Sequence, residues 1–185
     1  MAWPGTIDLI MQDHREIERL LDQLDRHPAR RPLLVPILSA LLIAHGRAEE
    51  EEIYPVAGEA GETDETTRSQ KEHLRAEDLL LKLEQVDFDD AAFDTVLTEL
   101  ADVVSAHFRE EERQVLPAMR ERLGDEQLAS LAKAFIVSRE RHFGERPGDR
   151  RLSDLRQQAR NIGLVGFSDL GKNELADLLR KLAGS

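Results

Sequence analysis

Apolar residues recur at intervals of three and four along most of the chain, the spacing that places them on one face of an α-helix. This pattern predicts four long helices, over residues 6–26, 32–53, 64–86 and 89–123, and a fifth helix over residues 125–142. Because few residues separate consecutive helices, neighbours in sequence are expected to pack antiparallel. The predicted fold is all-α: an up-down-up-down four-helix bundle with an extra helix.

The helical pattern is interrupted at residues 146–149, where Arg-Pro-Gly-Asp is typical of a linker. We therefore divide the chain into a bundle over residues 1–145 and a linker with a small helical module over residues 146–185. Short amphipathic helices are predicted in this module at residues 152–160 and 172–182, on either side of a loop that contains glycine.

Composition and charge limit the chemistry that this chain can carry. The net charge is −12, although residues 151–185 hold six Lys and Arg against four Asp and Glu. An acidic body is a poor partner for nucleic acid, but it can attract cations. The chain has no cysteine, which excludes disulfides, iron–sulfur clusters and thiolate nucleophiles.

The sequence shows no pattern typical of export or membrane insertion. Its first six residues lack a basic region followed by an apolar run. The longest apolar stretch, residues 33–44, is too short to span a bilayer and contains Pro36. We expect a cytoplasmic protein without a membrane partner.

Four of the six histidines fall one to each predicted bundle helix, on an otherwise apolar stripe, and a glutamate follows each by four residues. Residues at that spacing lie one above the other on the same helix face. A histidine and a glutamate placed in this way can offer a nitrogen and a carboxylate to one metal site. The pairs are His14 with Glu18, His45 with Glu49, His73 with Glu77, and His107 with Glu111.

Any single pair of this kind is weak evidence, but the four histidines together are informative. In an up-down bundle the four apolar stripes meet at the axis, where unligated imidazoles and carboxylates would cost several kcal/mol. A bound metal removes that cost. Mixed imidazole and carboxylate ligands suit iron, manganese or zinc, and six ligands exceed the four of a structural zinc site. Two ions with bridging glutamates fit this number better.

The two halves of the bundle also resemble each other. Ala44-His45 lies ten residues before Pro55, and Ala106-His107 lies ten residues before Pro117. The glutamate pairs at 49–50 and 111–112 match as well. One helical hairpin is therefore repeated by the second.

The ordered series His14, His45-x-x-x-Glu49, His73, His107-x-x-x-Glu111 resembles the hemerythrin-like (HHE) cation-binding family over about residues 6–123. This resemblance implies a non-haem di-iron centre inside the bundle. By the same resemblance, the two irons would be ligated by four histidines, bridged by two glutamates and completed by an oxo or hydroxo bridge. The implied ligands are His14, His45, Glu49, His73, His107 and Glu111.

The sequence departs from the oxygen-carrying hemerythrins in two places. Those proteins have His-x-x-x-His in the third helix, where this chain has His73 and Glu77. They have His-x-x-x-x-Asp in the fourth helix, where this chain has His107 and, four residues later, Glu111. The missing fifth histidine would leave the irons more open, which favours reaction with a small molecule over reversible oxygen carriage.

Three functions follow as hypotheses. The first is a di-iron enzyme that reacts with peroxide, oxygen or nitric oxide, most concretely by catalase-like peroxide decomposition. The second is a non-enzymatic sensor or store of iron, oxygen or nitric oxide, which would signal through the C-terminal module. The third is a helical interaction protein without metal.

Several residues outside the six ligands receive provisional roles. For Glu77 two alternatives stay open: an extra ligand or a residue on the bundle surface. The others are assigned to surface or structural positions: Glu18 to the surface, Tyr54 to packing at a helix end, Trp3 to a cap over the bundle, His27 and His142 to helix ends, and most of residues 49–52 to a solvated acidic face.

The C-terminal part has a leucine and glycine pattern of its own, with Leu152, Leu155, Gly163, Leu164, Gly166, Leu170, Leu175, Leu178 and Leu179. In this it resembles the small helix–extended-loop–helix modules of the Rho N-terminal or SAP-like type. That resemblance implies contact with nucleic acid, which we expect to be weak or absent because the net charge is only +2. The alternative, which we prefer, is a helical hairpin that packs on the bundle or on a protein partner.

Overall fold

The computed structural model describes residues 5–184, and these residues form helices without any strand. The cap expected at Trp3 lies outside the described residues. The α-helices are α1 (Thr6–Arg26), α2 (Arg31–Ala48), α3 (Tyr54–Glu59), α4 (Thr63–Gln85), α5 (Ala91–Glu110), α6 (Leu116–Arg122), α7 (Asp125–His142), α8 (Leu152–Asn161) and α9 (Lys172–Ala183). The all-α fold predicted from the hydrophobic pattern is confirmed.

Helices α1, α2, α4 and α5 form the bundle. Helix α1 packs against α2 and α5, and α4 packs against α5 and α2. Their apolar faces meet in one core, in which residues such as Leu24, Leu38, Leu80 and Leu100 are fully buried. Burial of these leucines gives the long helices a stability that helix propensity alone does not provide.

A five-residue π-helical turn follows both α2 and α5. The first π turn is Glu49–Ile53 and the second is Glu111–Val115. Each is followed by a short α-helix with a proline in its first turn, Pro55 or Pro117. In an uninterrupted α-helix a proline ring would clash with the carbonyl four residues earlier, and the wider π turn relieves this crowding. The second helix, expected to end near residue 53, therefore continues helically to Glu59.

Helix α7, the additional helix, covers one side of the bundle. It packs against α1, α2 and the first π turn. Phe135 of α7 lies in a second apolar cluster with Ile10, Ile53, Tyr54 and Leu116. The helix therefore closes the end of the bundle that holds the two π turns.

Helices α8 and α9 pack against each other and against α4. Leu155, Ala159, Leu175 and Leu179 surround Leu74 of α4 in a third apolar cluster. The two short helices predicted in the C-terminal part are thus present, and they form a hairpin that shares a core with the bundle.

One helical stretch, Pro28–Glu59, is long and apolar enough to cross a membrane, with a mean hydropathy of 1.2 in its most apolar window. Within the protein, 67% of that window is buried. A core helix of a bundle has this composition because it contacts other helices on most of its surface.

Candidate metal centre

The structure brings the six residues implied as ligands together at the bundle axis. The Nε2 atom of His45 lies 3.2 Å from Oε2 of Glu49, and Nε2 of His73 lies 3.3 Å from the same oxygen. On the other side, Nε2 of His14 lies 3.3 Å from Oε2 of Glu111. The remaining histidine, His107, has its Nε2 3.0 Å from that of His73 and 3.9 Å from Oε2 of Glu111.

These atoms fall into two groups that share one carboxylate. His14, His45 and Glu49 form one group, and Glu49, His73 and His107 form the other, with the ligand atoms of each group within 4.8 Å of one another. Glu111 faces His14 of the first group and His107 of the second. Either group alone offers the mixed nitrogen and oxygen donors that bind divalent metals.

The donor atoms fit a cation because the protein leaves them without other partners. Nε2 of His14, Nε2 of His45 and both carboxylate oxygens of Glu49 and Glu111 are buried and have no hydrogen-bond partner among the described residues. Burying such groups without partners is costly. A bound metal ion would satisfy all of them at once.

Electrostatics in the metal-free cluster supports the same interpretation. Burial opposes protonation of His45, but attraction to Glu49 and the hydrogen bond with Asp13 outweigh it and raise its pKa to about 10. In the same way, burial opposes protonation of His14 and His73, but the nearby glutamate carboxylates outweigh it and raise the pKa of each to about 9. Burial also opposes ionisation of Glu49, yet the histidines hold its pKa well below its ordinary range. Without a metal, protons on the imidazoles supply the positive charge that balances the buried carboxylates.

Each of the four imidazoles also has a carboxylate on its outer side. The contacts from Nδ1 are 2.8 Å for His14 with Glu112, 3.3 Å for His45 with Asp13, 3.0 Å for His107 with Glu72, and a longer 3.4 Å for His73 with Glu50. A carboxylate at Nδ1 fixes the ring so that Nε2 points at the metal, and it makes the nitrogen a stronger donor.

The outer carboxylates follow the internal repeat, and sequence reasoning missed them. Asp13 and Glu72 each precede a ligand histidine and contact the histidine of the next helix in their own hairpin. Glu50 and Glu112 each follow a ligand glutamate and contact a histidine of the opposite hairpin. The available signal was an acid directly before the first histidine and directly after the glutamate of each hairpin.

The two halves of the centre differ in what surrounds them. On one side, Phe108 stacks on His14 with ring centroids 3.8 Å apart. At the equivalent place in the repeat stands Gly46, where an added Cβ would lie 3.4 Å from Nδ1 of His73. A small cavity of about 30 Å³ lies on that side, bordered by His73 and His107 among others. Room for a molecule the size of water or dioxygen is therefore found beside the second group.

Tyr54 lies at the centre, which corrects the expectation that it only packs at a helix end. Its hydroxyl oxygen is 2.9 Å from Nε2 of His73, and the side chain is buried. Burial and the nearby Glu111 and Glu49 carboxylates raise its pKa well above the ordinary value, so the phenol stays protonated.

Glu77 is neither of the two things expected of it. It is buried, and its carboxylate accepts hydrogen bonds from Arg47 at 2.8 Å, from Arg150 at 2.8 Å and from the backbone of Gly148 at 2.9 Å. Both oxygens are thus committed to the contact between the bundle and the C-terminal part. The centre receives no carboxylate oxygen from this position.

Of the other residues assigned to surface or helix-end positions, some lie where the sequence predicted and others are buried. Glu18 pairs with Arg15 at the surface, and His27 is exposed. His142 is fully buried between Glu51 and Glu145, each 2.9 Å from one ring nitrogen. The acidic run was expected to be mostly solvated, but Glu50 is only 2% exposed. Arg47 and other partners outweigh the effect of its burial and lower its pKa to about 2.

A helical bundle with a buried histidine–glutamate cluster at its axis defines the class: a cation-binding bundle protein. Residues 5–119 match the family model described as "Hemerythrin HHE cation binding domain". The chain belongs to this family, as the order of its histidines and glutamates indicated.

A curated relative from Nostoc sp. (strain PCC 7120 / SAG 25.82 / UTEX 2576), named "DNA nickase", is 30% identical over 138 residues. The match covers 71% of this chain but 38% of that protein, so the chain spans well under half of its relative's length. No solved structure matches the chain. The family match ends before the C-terminal part, whose likeness to a Rho N-terminal or SAP-like module stays a prediction.

Proposed function

We propose that this chain holds two iron ions and decomposes hydrogen peroxide, converting two molecules of peroxide into two of water and one of dioxygen. The observation that carries the proposal is that Glu49 is shared between two groups of ligands while Glu111 faces both. Glu49 and Glu111 would hold both ions, each of which the histidines of one group would also ligate. Likeness to the hemerythrins favours iron over manganese and zinc.

Peroxide chemistry is favoured by what the centre lacks. Glu77 stands where the oxygen carriers have a further histidine, and its carboxylate is held by Arg47 and Arg150. The His73 side is therefore one ligand short, and the small cavity lies on that side. An open position next to a space of this size suits peroxide, dioxygen or nitric oxide and excludes larger substrates.

The chemistry requires a two-electron couple, which a pair of irons cycling between ferrous and ferric supplies when bound. One peroxide loses two electrons and two protons to become dioxygen, and the other gains both to become two waters. The chain's own contribution is to orient the imidazoles through their outer carboxylates and to hold a proton beside the open side. The buried hydroxyl of Tyr54, 2.9 Å from Nε2 of His73, is the protonated group that stands beside this half of the centre.

Oxygen evolution tests this function directly. Protein loaded with iron without air, and then mixed with peroxide in an oxygen electrode, should release one dioxygen for every two peroxides. His107→Ala should lose the activity together with its iron, whereas His27→Ala, a change at an exposed histidine, should behave as the wild type. Negligible oxygen release from protein that carries a full complement of iron contradicts the enzyme hypothesis.

A sensor or store is the second candidate, and one observation favours it. The C-terminal part is hydrogen-bonded to Glu50, which contacts the ligand His73, so the state of the metal has a short route to a peripheral element. A sensor should change its visible spectrum with oxygen or nitric oxide, without turnover, and should alter the exposure of residues 146–184. Turnover of peroxide without any such change would exclude it.

DNA cleavage is a third candidate because of the name of the Nostoc relative. The charge of this chain opposes it: −12 overall repels a phosphate backbone, and residues 151–185 carry only +2. We therefore expect supercoiled plasmid to stay intact when it is incubated with the iron-loaded protein. Conversion of the plasmid to the nicked circle would favour DNA cleavage over the other two functions.

A further inference from the structure

The two carboxylates that follow the ligand glutamates, Glu50 and Glu112, have equivalent places in the repeat but different surroundings. Glu112 pairs with Arg15, and its side chain is 20% exposed. Glu50 is buried and is surrounded by four side chains, from Arg47, Gln70, His73 and Gln158. The covering of Glu50 comes in part from residues outside the family match.

The C-terminal part reaches Glu50 at two points. Gln158 of α8, which is 0% exposed, donates a hydrogen bond from Nε2 to Oε2 of Glu50 over 3.0 Å. Asn161, at the end of the same helix, donates from Nδ2 to the backbone carbonyl of Glu50 over 2.9 Å. The same amide group also donates to Gln70 over 2.8 Å. Side chain and backbone of Glu50 are thus both held by α8.

We propose that Gln158 and Asn161 are positioning residues of the metal centre, which hold Glu50 and, through it, the ligand His73. The proposal rests on the metal centre described above, and it does not depend on which small molecule reacts there. Loss of a carboxylate that contacts a ligand histidine, as Glu50 contacts His73, changes metal affinity by about 10- to 100-fold in metalloproteins, and this range is the upper bound for the residues that hold it. The effect should fall on the His73–His107 half of the centre.

The position of Glu50 in the first π turn links it to a second ligand as well. Glu50 directly follows the ligand Glu49, so a displacement of its backbone also displaces the carboxylate shared by the two ligand groups. Oε1 of Glu50 lies 3.4 Å from Nδ1 of His73 and accepts from Gln70, while Oε2 accepts from Arg47 and Gln158, so several donors share this carboxylate. Loss of one donor would therefore change how strongly the others hold it.

Simple attachment of α8 and α9 to the bundle does not account for these contacts. Leu155, Ala159, Leu175 and Leu179 already bury an apolar face against Leu74. A fully buried amide adds little to such docking, because its desolvation offsets most of the hydrogen-bond energy. Its contact with an outer carboxylate of the centre gives it a role that the apolar residues do not have.

The coupling between metal binding and the docking of α8 must act in both directions. If a docked α8 strengthens metal binding, metal binding must strengthen the docking of α8 by the same factor. Loading the protein with metal should therefore reduce hydrogen exchange in residues 152–161. This readout does not depend on any catalytic activity.

The experiment compares Gln158→Met, which keeps the size of the side chain but removes its donor, with two controls in the full-length chain. Leu179→Ala weakens the apolar docking without touching Glu50, and Arg15→Met removes the equivalent partner of Glu112, which lies on the His14 side. Cobalt(II) is the probe, because its release to a chelator can be timed and its visible spectrum reports ligand geometry. Asn161→Ala serves as a second variant, with circular dichroism to establish that each protein is folded.

For the wild type we expect slow release of both ions. For Gln158→Met we expect one ion to leave faster, by up to about 10- to 100-fold, with a changed cobalt spectrum. Asn161→Ala should act in the same direction, Leu179→Ala should raise hydrogen exchange in residues 172–183 without changing release, and Arg15→Met should change release less than twofold.

Two results would overturn the inference. Release and spectrum identical to the wild type in both Gln158→Met and Asn161→Ala would show that α8 does not position the centre. Equal acceleration in Leu179→Ala would show that docking as a whole, and not these two side chains, is what matters. Wild-type protein that binds no cobalt or iron would instead refute the metal centre itself, so the two failures can be told apart.

Discussion

At the scale of single residues, the centre is built from buried charged groups that would lower the stability of the bundle if nothing paired with them. Glu49 and Glu111 are fully buried, and their oxygens have no hydrogen-bond partner among the described residues. The metal-free protein tolerates them because protonated histidines stand beside them. Side chains that cost stability at a bundle axis are expected where function requires them.

Removal of one of the two carboxylates proposed to bridge the ions should test that role. We expect Glu111→Gln to bind fewer metal ions than the wild type by at least one per chain, because an uncharged amide is a poor ligand for a hard cation. Metal analysis after iron-replete expression measures this. Glu110→Gln is the matched control, since that neighbour pairs with Arg68 and Arg113 on the outside of the bundle. Unchanged metal content in the first variant would contradict the ligand assignment.

The pH dependence of stability above about pH 6.5 should be present without metal and largely absent with it. The pKa of His45 is raised to about 10 and those of His14 and His73 to about 9. A raised pKa contributes stability that is complete below the unfolded value of about 6.5 and is lost as the pH rises through the folded value. The free energy of unfolding of the metal-free protein should therefore fall between about pH 6.5 and pH 10.

With metal bound this fall should disappear, because the ligated imidazoles carry no proton and the unfolded ones carry few above about pH 6.5. Urea unfolding with and without a chelator measures both trends. His27→Ala, which changes an exposed histidine, should follow the wild type in each case. A flat profile for the metal-free protein would show that the axial histidines are not coupled to the glutamates.

At the scale of helices, the two hairpins use the same construction twice. A ligand histidine near the end of a long helix is followed by a π turn that begins with a ligand glutamate, and then by a proline. The elements added to this frame break its symmetry: α7 covers one side, and α8 with α9 covers Glu50 and Glu77. Differences between the two halves therefore arise from the added elements as well as from differences within the repeat, such as Phe108 against Gly46.

Docking of the C-terminal helices should depend on Glu77. We expect Glu77→Gln to loosen residues 146–184, because it leaves Arg150 buried without its ion-pair partner, a loss that costs about 3 kcal/mol in comparable cases. Limited proteolysis should then cut near residues 146–151 at least tenfold faster. Glu99→Gln, which loses only an exposed ion pair with Arg75 within the bundle, should be cut as slowly as the wild type.

Low pH should weaken the same contact between Glu77 and the C-terminal part. Burial opposes ionisation of Glu77, but Arg47 and Arg150 outweigh it and lower its pKa below the ordinary value of 4.5. A lowered pKa gives stability that is present above the unfolded value and is lost as the pH falls through the folded one. Docking should therefore weaken below about pH 4.5 in the wild type and show a smaller pH dependence in Glu77→Gln; equal dependence in both would exclude Glu77 as the group responsible.

At the scale of the whole molecule, metal binding and folding should be linked. The ligands come from α1, α2, α4, α5 and the two π turns, so they come together only in the folded chain. Whatever binds the folded state alone stabilises it, by about 2.7 kcal/mol at a hundred times its Kd. The centre is then part of what holds the four long helices in register.

We expect the melting temperature to rise by about 5–10 °C on saturation with metal, since each kcal/mol shifts it by about 2–4 °C in a protein of this size. Calorimetry of the iron-loaded and chelator-treated protein measures the shift. The double variant His45→Ala and His107→Ala should show no shift on addition of metal. A shift of equal size in that variant would mean that the metal binds elsewhere.

Much of this protein is determined by local sequence. The recurrence of apolar residues specified the helices, because one helix face must be buried. The order of His14, His45, His73 and His107 specified the family, since each lies on an apolar stripe and so faces the axis. The π turns were not anticipated because a proline indicates only that the helix is disturbed, and not whether it ends or widens.

Contacts between residues far apart in sequence were decided only by the tertiary structure. The fixed i+4 spacing made Glu77 a candidate ligand, but Arg150, over seventy residues later, pairs with it and commits its carboxylate to the C-terminal contact. The same holds for Gln158, which lies more than a hundred residues from Glu50. Periodicity shows which face of a helix is buried, whereas the partner that a buried polar group finds depends on how the helices pack. The sequence by itself therefore determined the helices and the family, and only the packing decided which carboxylates surround the centre and which of its sides stays open.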